Sequence, residues 1–546
     1  MKLGSRAVPW VGTGIFAGIV LITLGWAAYT HHVWEDFYIT YRSGKNLALG
    51  NGLVFTVGER LQTFTSPLQA LLPAAIAWLT HCRSDELVIW IYRVVGACAL
   101  GATGAILWGL SRHCAWPAAA TAACVGLFAF DAKSIDFTAN GMETPYLLVF
   151  LGWQAYLVIS GGSTLWLGVA WAGMMWSRPD AFIQIAAFYG AVLVFAADWG
   201  SRRDLAVRAI RAGAVAAVLY LPWFLWAYWY YGTPVPHTIT AKAIGVESGL
   251  GPVLRAILRA PQQIITYGVF HRVLFAPTNI EVAPWDEWGL AANSLWRLLA
   301  LPVWFYWINP WGGRWARTTS LWLFLGSIYY ICAPGAPWYV PPYALVAMIC
   351  WGFVICDVAN LLGADAGAAR MPAAAVLRPL LRYGVLGVVA FQLGTSLLMA
   401  NAMRLQQVII EDGSRRAIGV WLRQNAAPGD TVFLESLGYI GYFSNLKMLD
   451  FPGLASTEVV AARRKVGMDE FDALIQEVDP VWLVLRPKEA ARASSRAPGL
   501  LSSGAHGKYR LTRMYDQSAR VSAMGDMPGR SLLEYDQTFL VYRRTH

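Results

Sequence analysis

Residues 34–67 read WEDFYITYRSGKNLALGNGLVFTVGERLQTFTSP and follow directly on a strongly apolar segment. Glu35 and Asp36 stand where that segment ends. Two neighbouring carboxylates at a membrane surface need a reason, because each is costly to desolvate. The plain alternative is a solvated helix end, where charges ordinarily flank a transmembrane helix. The rest of the stretch argues for more. Tyr38, Tyr41, Arg42 and Lys45 recur at helical spacing, and Gly50-Asn51-Gly52 then breaks the helix. A short β-like run, Leu53 to Val57, and a Gly58-Glu59-Arg60 turn complete a loop that reads as built.

Composition sets the class around this loop. The chain is 57% hydrophobic and only 14% charged, where a soluble protein carries about 25% charged residues. Apolar runs near bilayer-spanning length recur from residue 10 to residue 400. This is the pattern of a polytopic membrane protein. The basic start, MKLGSRAVPW, resembles that of a signal peptide, but no small-residue cleavage site follows the apolar run. Segment 10–29 is therefore expected to be a retained anchor. The cysteines are scattered and make no CxxC, so neither a disulfide framework nor a metal site is inferred. The net charge of +10 reports loop arginines that orient helices. With no basic stripe, nucleic-acid binding gains no support.

Basic loops belong on the cytoplasmic side. The clusters Lys2/Arg6, Arg112/His113, Arg202/Arg203/Arg208/Arg211, Arg314/Arg317 and Arg370/Arg378/Arg382 all lie inside only if residues 67–80 do not cross. That segment suits an interfacial helix on the outer face. The expected spans are 10–29, 87–110, 116–131, 144–160, 164–177, 181–198, 209–230, 290–311, 319–333, 339–356 and 380–400. These about eleven crossings put the N-terminus inside and everything after 401 outside. The outer loops are then 30–86, 131–143, 178–180, 231–289 and 334–338. Every unusual polar motif of the membrane half falls in one of them.

The expected domains are thus a transmembrane region, 1–400, and an extracytoplasmic α/β domain, 401–546. In the second, helix-like Ser414–Asn425 leads to β-like runs at 431–434, 447–451, 480–485 and 538–542. A helix or turn at 438–445 and an amphipathic stretch at 456–478 separate them. Such alternation argues for a mainly parallel sheet. The Ala/Ser/Gly-rich segment 488–507 reads as a loose loop.

With these residues in view, the chain resembles the GT-C class of polyprenyl-phosphate-sugar glycosyltransferases, and within it the AftB-type terminal arabinofuranosyltransferases. The resemblance runs through most of the chain in order. It rests on Glu35-Asp36-Phe37-Tyr38-Ile39-Thr40-Tyr41-Arg42, on Gly50 to Pro67, and on Gly141-Met142-Glu143-Thr144. Arg178-Pro179-Asp180, Tyr231 to Thr238, Ala241-Lys242 and Ile418 to Arg423 continue it. Each block alone is weak, and the ordered series is specific. The chain departs from the family at Glu35, usually Asp, at Thr56-Val57, usually Asn-Pro, and at His237, usually Asn. These departures bear on donor and acceptor rather than on reaction class.

The resemblance implies transfer of a sugar, a pentofuranose such as arabinofuranose favoured, from a polyprenyl-phosphate donor to a hydroxyl of a cell-envelope glycan. The setting would be the outer face of the cytoplasmic membrane. It places the general base at the second carboxylate, Asp36, a role that suits a carboxylate near the surface. Glu35 would orient the acceptor, raise the pKa of Asp36 by repulsion, or bind a cation. Arg178, Lys242, His237 and Arg42 are the candidates for the donor phosphate, since arginine grips two oxygens and lysine acts as a point charge. Each has a bland reading: Arg178 pairing with Asp180, Lys242 in a solvated loop, His237 structural, Arg42 pairing with Asp36 or Glu59. Glu143 and Asp180 are candidates for contact with the acceptor or with a divalent cation, for which hard oxygen ligands suit Mg, Mn or Ca. No spacing code establishes the metal. Glu143 also reads as a helix N-terminal residue favoured by the macrodipole.

Two other classes compete. A lipid-linked glycan flippase would show mid-membrane charges, broken helices and a pseudo-symmetric repeat. A non-catalytic glycan-binding assembly protein would explain the α/β domain but not the acidic and basic motifs of the outer loops.

Overall fold

The computed structural model describes residues 7–195, 199–245, 249–266, 298, 300–332, 337–363, 372–467, 470–502, 507–525, 527 and 529–545. Two compact units account for the chain. The first comprises residues 1–29, 93–222 and 248–400, and the second residues 30–92, 223–247 and 401–546.

The first unit is helical. Among the described residues of the chain, six helices are long and apolar enough to cross a membrane: Trp10–Thr30, Asp85–His113, Ala118–Ala139, Arg202–Tyr231, Val340–Leu362 and Val376–Asn425. They match expected spans, and the chain is a multi-pass membrane protein. The spans expected at 144–160, 164–177 and 181–198 form helices Thr144–Ile159, Thr164–Ser177 and Phe182–Val194, of 16, 14 and 13 residues. At about 1.5 Å per residue these are shorter than a hydrocarbon core of about 30 Å. Arg314–Cys332 supplies the helix expected at 319–333. Residues 290–297 and 299 of the span expected at 290–311 lie outside the described residues, as do much of the loop 231–289 and most of the turn 334–338. Packing is close where glycines allow it: a Cβ on Gly101 would lie 2.8 Å from the Phe16 carbonyl oxygen.

In the expected loop 131–143, the chain instead folds into helix Ala132–Ala139, every residue of which is buried. Asp131 caps it by accepting from the Ser134 N–H at 3.1 Å, the ordinary role of an N-cap carboxylate.

The second unit is built on a six-stranded sheet with order β2-β1-β3-β6-β5-β4. The strands are β1 (Thr431–Leu434), β2 (Lys447–Asp450), β3 (Trp482–Leu485), β4 (Leu501–Ser502), β5 (Tyr509–Asp516) and β6 (Thr538–Arg544). The sheet is mixed, with three of its five strand pairs parallel, β4 with β5 among them. β1 runs parallel to β2 and β3, whereas β6 is antiparallel to both β3 and β5. The segment read as a loose loop contains helix Pro487–Arg496. Its Pro487 at the first turn and the Arg486/Glu489 capping box start a helix firmly, and alanine sustains it.

Residues 34–67 belong to this unit. Helix Glu35–Ala48 stops where Gly50 and Gly52 adopt φ of 82° and 87°, a region open to glycine. It packs on helix Pro67–Leu79 so tightly that a Cβ on Gly44 would lie 2.6 Å from the Ala70 carbonyl oxygen. Leu53, Val54 and Phe55 are buried without forming a strand. Asn46 Nδ2 donates to the carbonyls of Val54 (2.8 Å) and Phe55 (3.2 Å) in place of a ladder. Ile39 and Phe55 share one hydrophobic core with Val432, Leu434, Trp482 and Val541 of the sheet.

Candidate active site

In the first unit, Glu143 precedes helix Thr144–Ile159 and Arg178 ends helix Thr164–Ser177 in extended backbone. Arg178 Nη1 donates to Glu143 Oε1 at 2.7 Å, while Nε and Nη2 donate to the two Asp180 oxygens at 3.0 Å each. Tyr329 donates its hydroxyl to Asp180 Oδ2 at 2.8 Å, and the guanidinium lies 4.1 Å from the centroid of the Tyr339 ring. The sequence-named trio of Arg178, Asp180 and Glu143 is thus one cluster. Its bidentate fork grips Asp180, the pairing named above as the bland reading of Arg178. Glu143 is 3% exposed, and its Oε2 is buried with no hydrogen-bond partner. An orphan acceptor of this kind is expensive and is suited to a hydroxyl brought by a ligand.

Sequence reasoning passed over the residues before Glu143. Lys133 and Asp131 form an ion pair at 2.6 Å with both side chains 0% exposed. Trp26 Nε1 donates to Asp136 Oδ1 at 3.1 Å, and Asn140 Nδ2 to Asp136 Oδ2 at 3.2 Å. The available signal was the density of polar residues in DAKSIDFTANGMET, too great for a span.

In the second unit, Glu35 and Asp36 form the first turn of helix Glu35–Ala48, where the helix dipole favours negative charge. Asp36 is half-buried. Glu35 Oε2 pairs with Arg415 Nη1 at 2.9 Å, and its Oε1 accepts from the Gly438 N–H at 3.0 Å. Burial pushes the Glu35 carboxyl up to about 8, with Arg415 pulling it down and Glu411, Glu435 and Asp536 adding to the rise.

Arg42 is engaged within the second unit. It is 5% exposed, donates to the carbonyls of Gly441 (2.8 Å) and Leu446 (3.0 Å), and lies over the Phe55 ring. Burial pulls its guanidinium down to about 10. Its terminal nitrogens join two backbone segments and do not stand open to a phosphate. The partners considered for it, Asp36 and Glu59, are not those it takes; Glu59 pairs with Lys447.

His237 begins helix His237–Lys242, and Lys242 is exposed in its last turn. The His237 N–H donates to the Gln62 carbonyl at 3.0 Å, tying this helix to the quoted loop. Burial lowers the His237 pKa, helped by Arg464 and opposed by the Ser456 and Gly453 backbone. Among the described residues, no group of three or more His, Cys, Asp or Glu side chains is placed to hold a metal ion.

Against solved structures, the chain matches ArnT from Cupriavidus metallidurans in the apo state, with a TM-score of 0.54 and 15% identity, over 98% of each chain. This is the ArnT-like GT-C fold. In sequence the chain is arabinofuranosyltransferase-like. It is 24% identical over 247 residues to a terminal β-(1→2)-arabinofuranosyltransferase of Corynebacterium glutamicum, covering 40% of this chain and 34% of that protein. It is 26% identical over 259 residues to the protein of that name in Mycobacterium tuberculosis, covering 41% and 37%. The chain thus spans little more than a third of the length of these relatives. Residues 402–542 match a family described as a domain of unknown function (DUF8728).

Proposed function

We propose that this GT-C-fold protein is a membrane glycosyltransferase. It would move a sugar, arabinofuranose or another pentofuranose, from a polyprenyl-phosphate donor to a hydroxyl of a cell-envelope glycan. The observation that carries the reading is the sequence likeness to two proteins named terminal β-(1→2)-arabinofuranosyltransferase, on a chain that has the ArnT-like fold throughout. The reaction would take place at the outer face of the cytoplasmic membrane, with the N-terminus inside and residues 401–546 outside.

In this reading the acceptor hydroxyl oxygen attacks the anomeric carbon, and the carbon–oxygen bond to the lipid phosphate breaks with its electron pair leaving on the phosphate. Asp36 takes the hydroxyl proton. The assignment is supported by the second-carboxylate position, in the first turn of helix Glu35–Ala48. Lys242, exposed in the last turn of its helix, and His237, at its start, would contact the phosphate as point charge and hydrogen-bond donor. Within the first unit, Glu143 Oε2, buried without a hydrogen-bond partner, is suited to a hydroxyl brought by a ligand. Glu35, Glu143 and Asp180 are each paired with an arginine, and no step is routed through a divalent cation.

The test is release of labelled sugar from polyprenyl-phosphate-pentose by the purified protein, wild type beside Asp36→Asn. Turnover by the wild type and a loss of 10²-fold or more in the variant, on the order expected for a general base, is the expected result. Binding of donor without release from either pentose or hexose lipids would move the reading to a flippase or a glycan-binding assembly protein.

A further inference from the structure

Glu35 is held from more than one side by the C-terminal part of the second unit. Besides its bonds to Arg415 and the Gly438 N–H, it faces Gly438 so closely that a Cβ there would overlap the Glu35 carbonyl oxygen and lie 2.5 Å from its Cγ. The residues before and after it are pinned in the same way. The Tyr439 hydroxyl donates to the Val33 carbonyl at 2.9 Å, and the Val33 N–H donates to Gln407 Oε1 at 3.0 Å. At the far end of the segment, Arg42 donates to the Gly441 and Leu446 carbonyls. Arg415 is itself fixed by Glu411 at 2.8 Å and by Asp536 at 2.6 Å, and Arg486 holds Asp536 from its other oxygen at 2.6 Å. Asp36 sits in the middle of the segment so held.

We infer that helix Gly438–Ser444, backed by Arg415, is a clamp that sets the position of Asp36, and that Gly438 and Arg415 are positioning residues for sugar transfer. The inference rests on Asp36 acting as the base. The physical reason is that a reacting group displaced by about 1 Å loses on the order of 10²-fold in rate. A group in the first turn of a helix moves with that turn. Gly438 is required because any side chain would push the Glu35 backbone away, and Arg415 because its partner is the side chain adjacent to the base. Glu35 is thereby a strut rather than a catalytic residue.

The experiment uses the full chain in detergent or nanodiscs, with Gly438→Ala, Arg415→Lys and Arg415→Met beside wild type. It reads deuterium exchange over residues 33–42 and over the sheet, together with kcat and KM on polyprenyl-phosphate-pentose. In Gly438→Ala, exchange over 33–42 should rise while β1–β3 keep wild-type protection. The same variant should lose about tenfold or more in kcat, with KM within about twofold, as expected for displaced geometry. Arg415→Lys should recover part of what Arg415→Met loses. Unchanged exchange over 33–42 in Gly438→Ala overturns the clamp whatever the activity. Loosened exchange with unchanged kcat overturns the positioning role. Asp36→Asn, run in parallel, separates failure of the base assignment from either result, because the exchange reading does not depend on turnover.

Discussion

Arg178 shows what a single residue can and cannot declare. An arginine in a short Trp-Ser-Arg-Pro-Asp turn between two apolar segments was conspicuous, and so was Glu143 beside Gly141. Their joining across 35 positions was not legible, because nothing local says which cation a buried carboxylate will meet. Arg415 was less legible still. It reads as an ordinary charge on a polar helix, and only the fold gathers Glu35, Glu411 and Asp536 around it. His237 carries a prediction at this scale. Burial holds its pKa below the ordinary 6.5, so between that lowered value and 6.5 the unfolded chain binds the proton that the folded chain refuses. Stability is therefore complete above about pH 6.5 and falls as pH drops through that window. Thermal midpoints of wild type and His237→Gln, measured from pH 7.5 to 5, should diverge only toward acid, with wild type losing more. Parallel curves would show that His237 is not the group responsible.

At the scale of elements, the helix Glu35–Ala48 and the break after it were readable from spacing and glycines alone. The run Leu53–Val57 was read as a strand because its residues are apolar and β-prone. Its backbone is satisfied by Asn46 instead, and a side-chain partner 8 residues away leaves no trace in periodicity. β5, YRLTRMYD, gives little strand signal because much of it is exposed and carries charge. The small residues of helix Pro487–Arg496 favour a loop reading, although alanine after a capped proline is the opposite signal. The pairing of helices Glu35–Ala48 and Pro67–Leu79 depends on Gly44, whose missing side chain lets the Ala70 carbonyl approach. Gly44→Val forces the helices apart. We expect a loss of about 1–3 kcal/mol, the usual cost of overpacking, read as a lowered unfolding midpoint.

Over the whole molecule, the sequence divides at residue 401 by composition, yet the compact units divide otherwise. Residues 30–92 and 223–247 join residues 401–546. Amphipathic patterning foretold a core in the C-terminal part, but not that Ile39 and Phe55 would help to fill it, since a core admits any apolar side chain that topology brings. A chain ending at residue 400 strands these two side chains. Exposing each costs about 1.5–3 kcal/mol. Limited proteolysis should then cut within residues 30–66 of the shortened protein under conditions that spare the full chain. Equal resistance in both would mean that the loop holds itself together.

The three-part origin of the second unit also sets an order of events during synthesis. Residues 30–92 leave the ribosome about 300 residues before residue 401, a delay of roughly 15–60 s at the usual elongation rates. For that time Phe55 and its neighbours wait without the strands that will cover them. The nascent chain must pass through an interval in which the loop carrying Glu35 and Asp36 is made but not yet covered, and the second unit is complete only when its last strand has arrived.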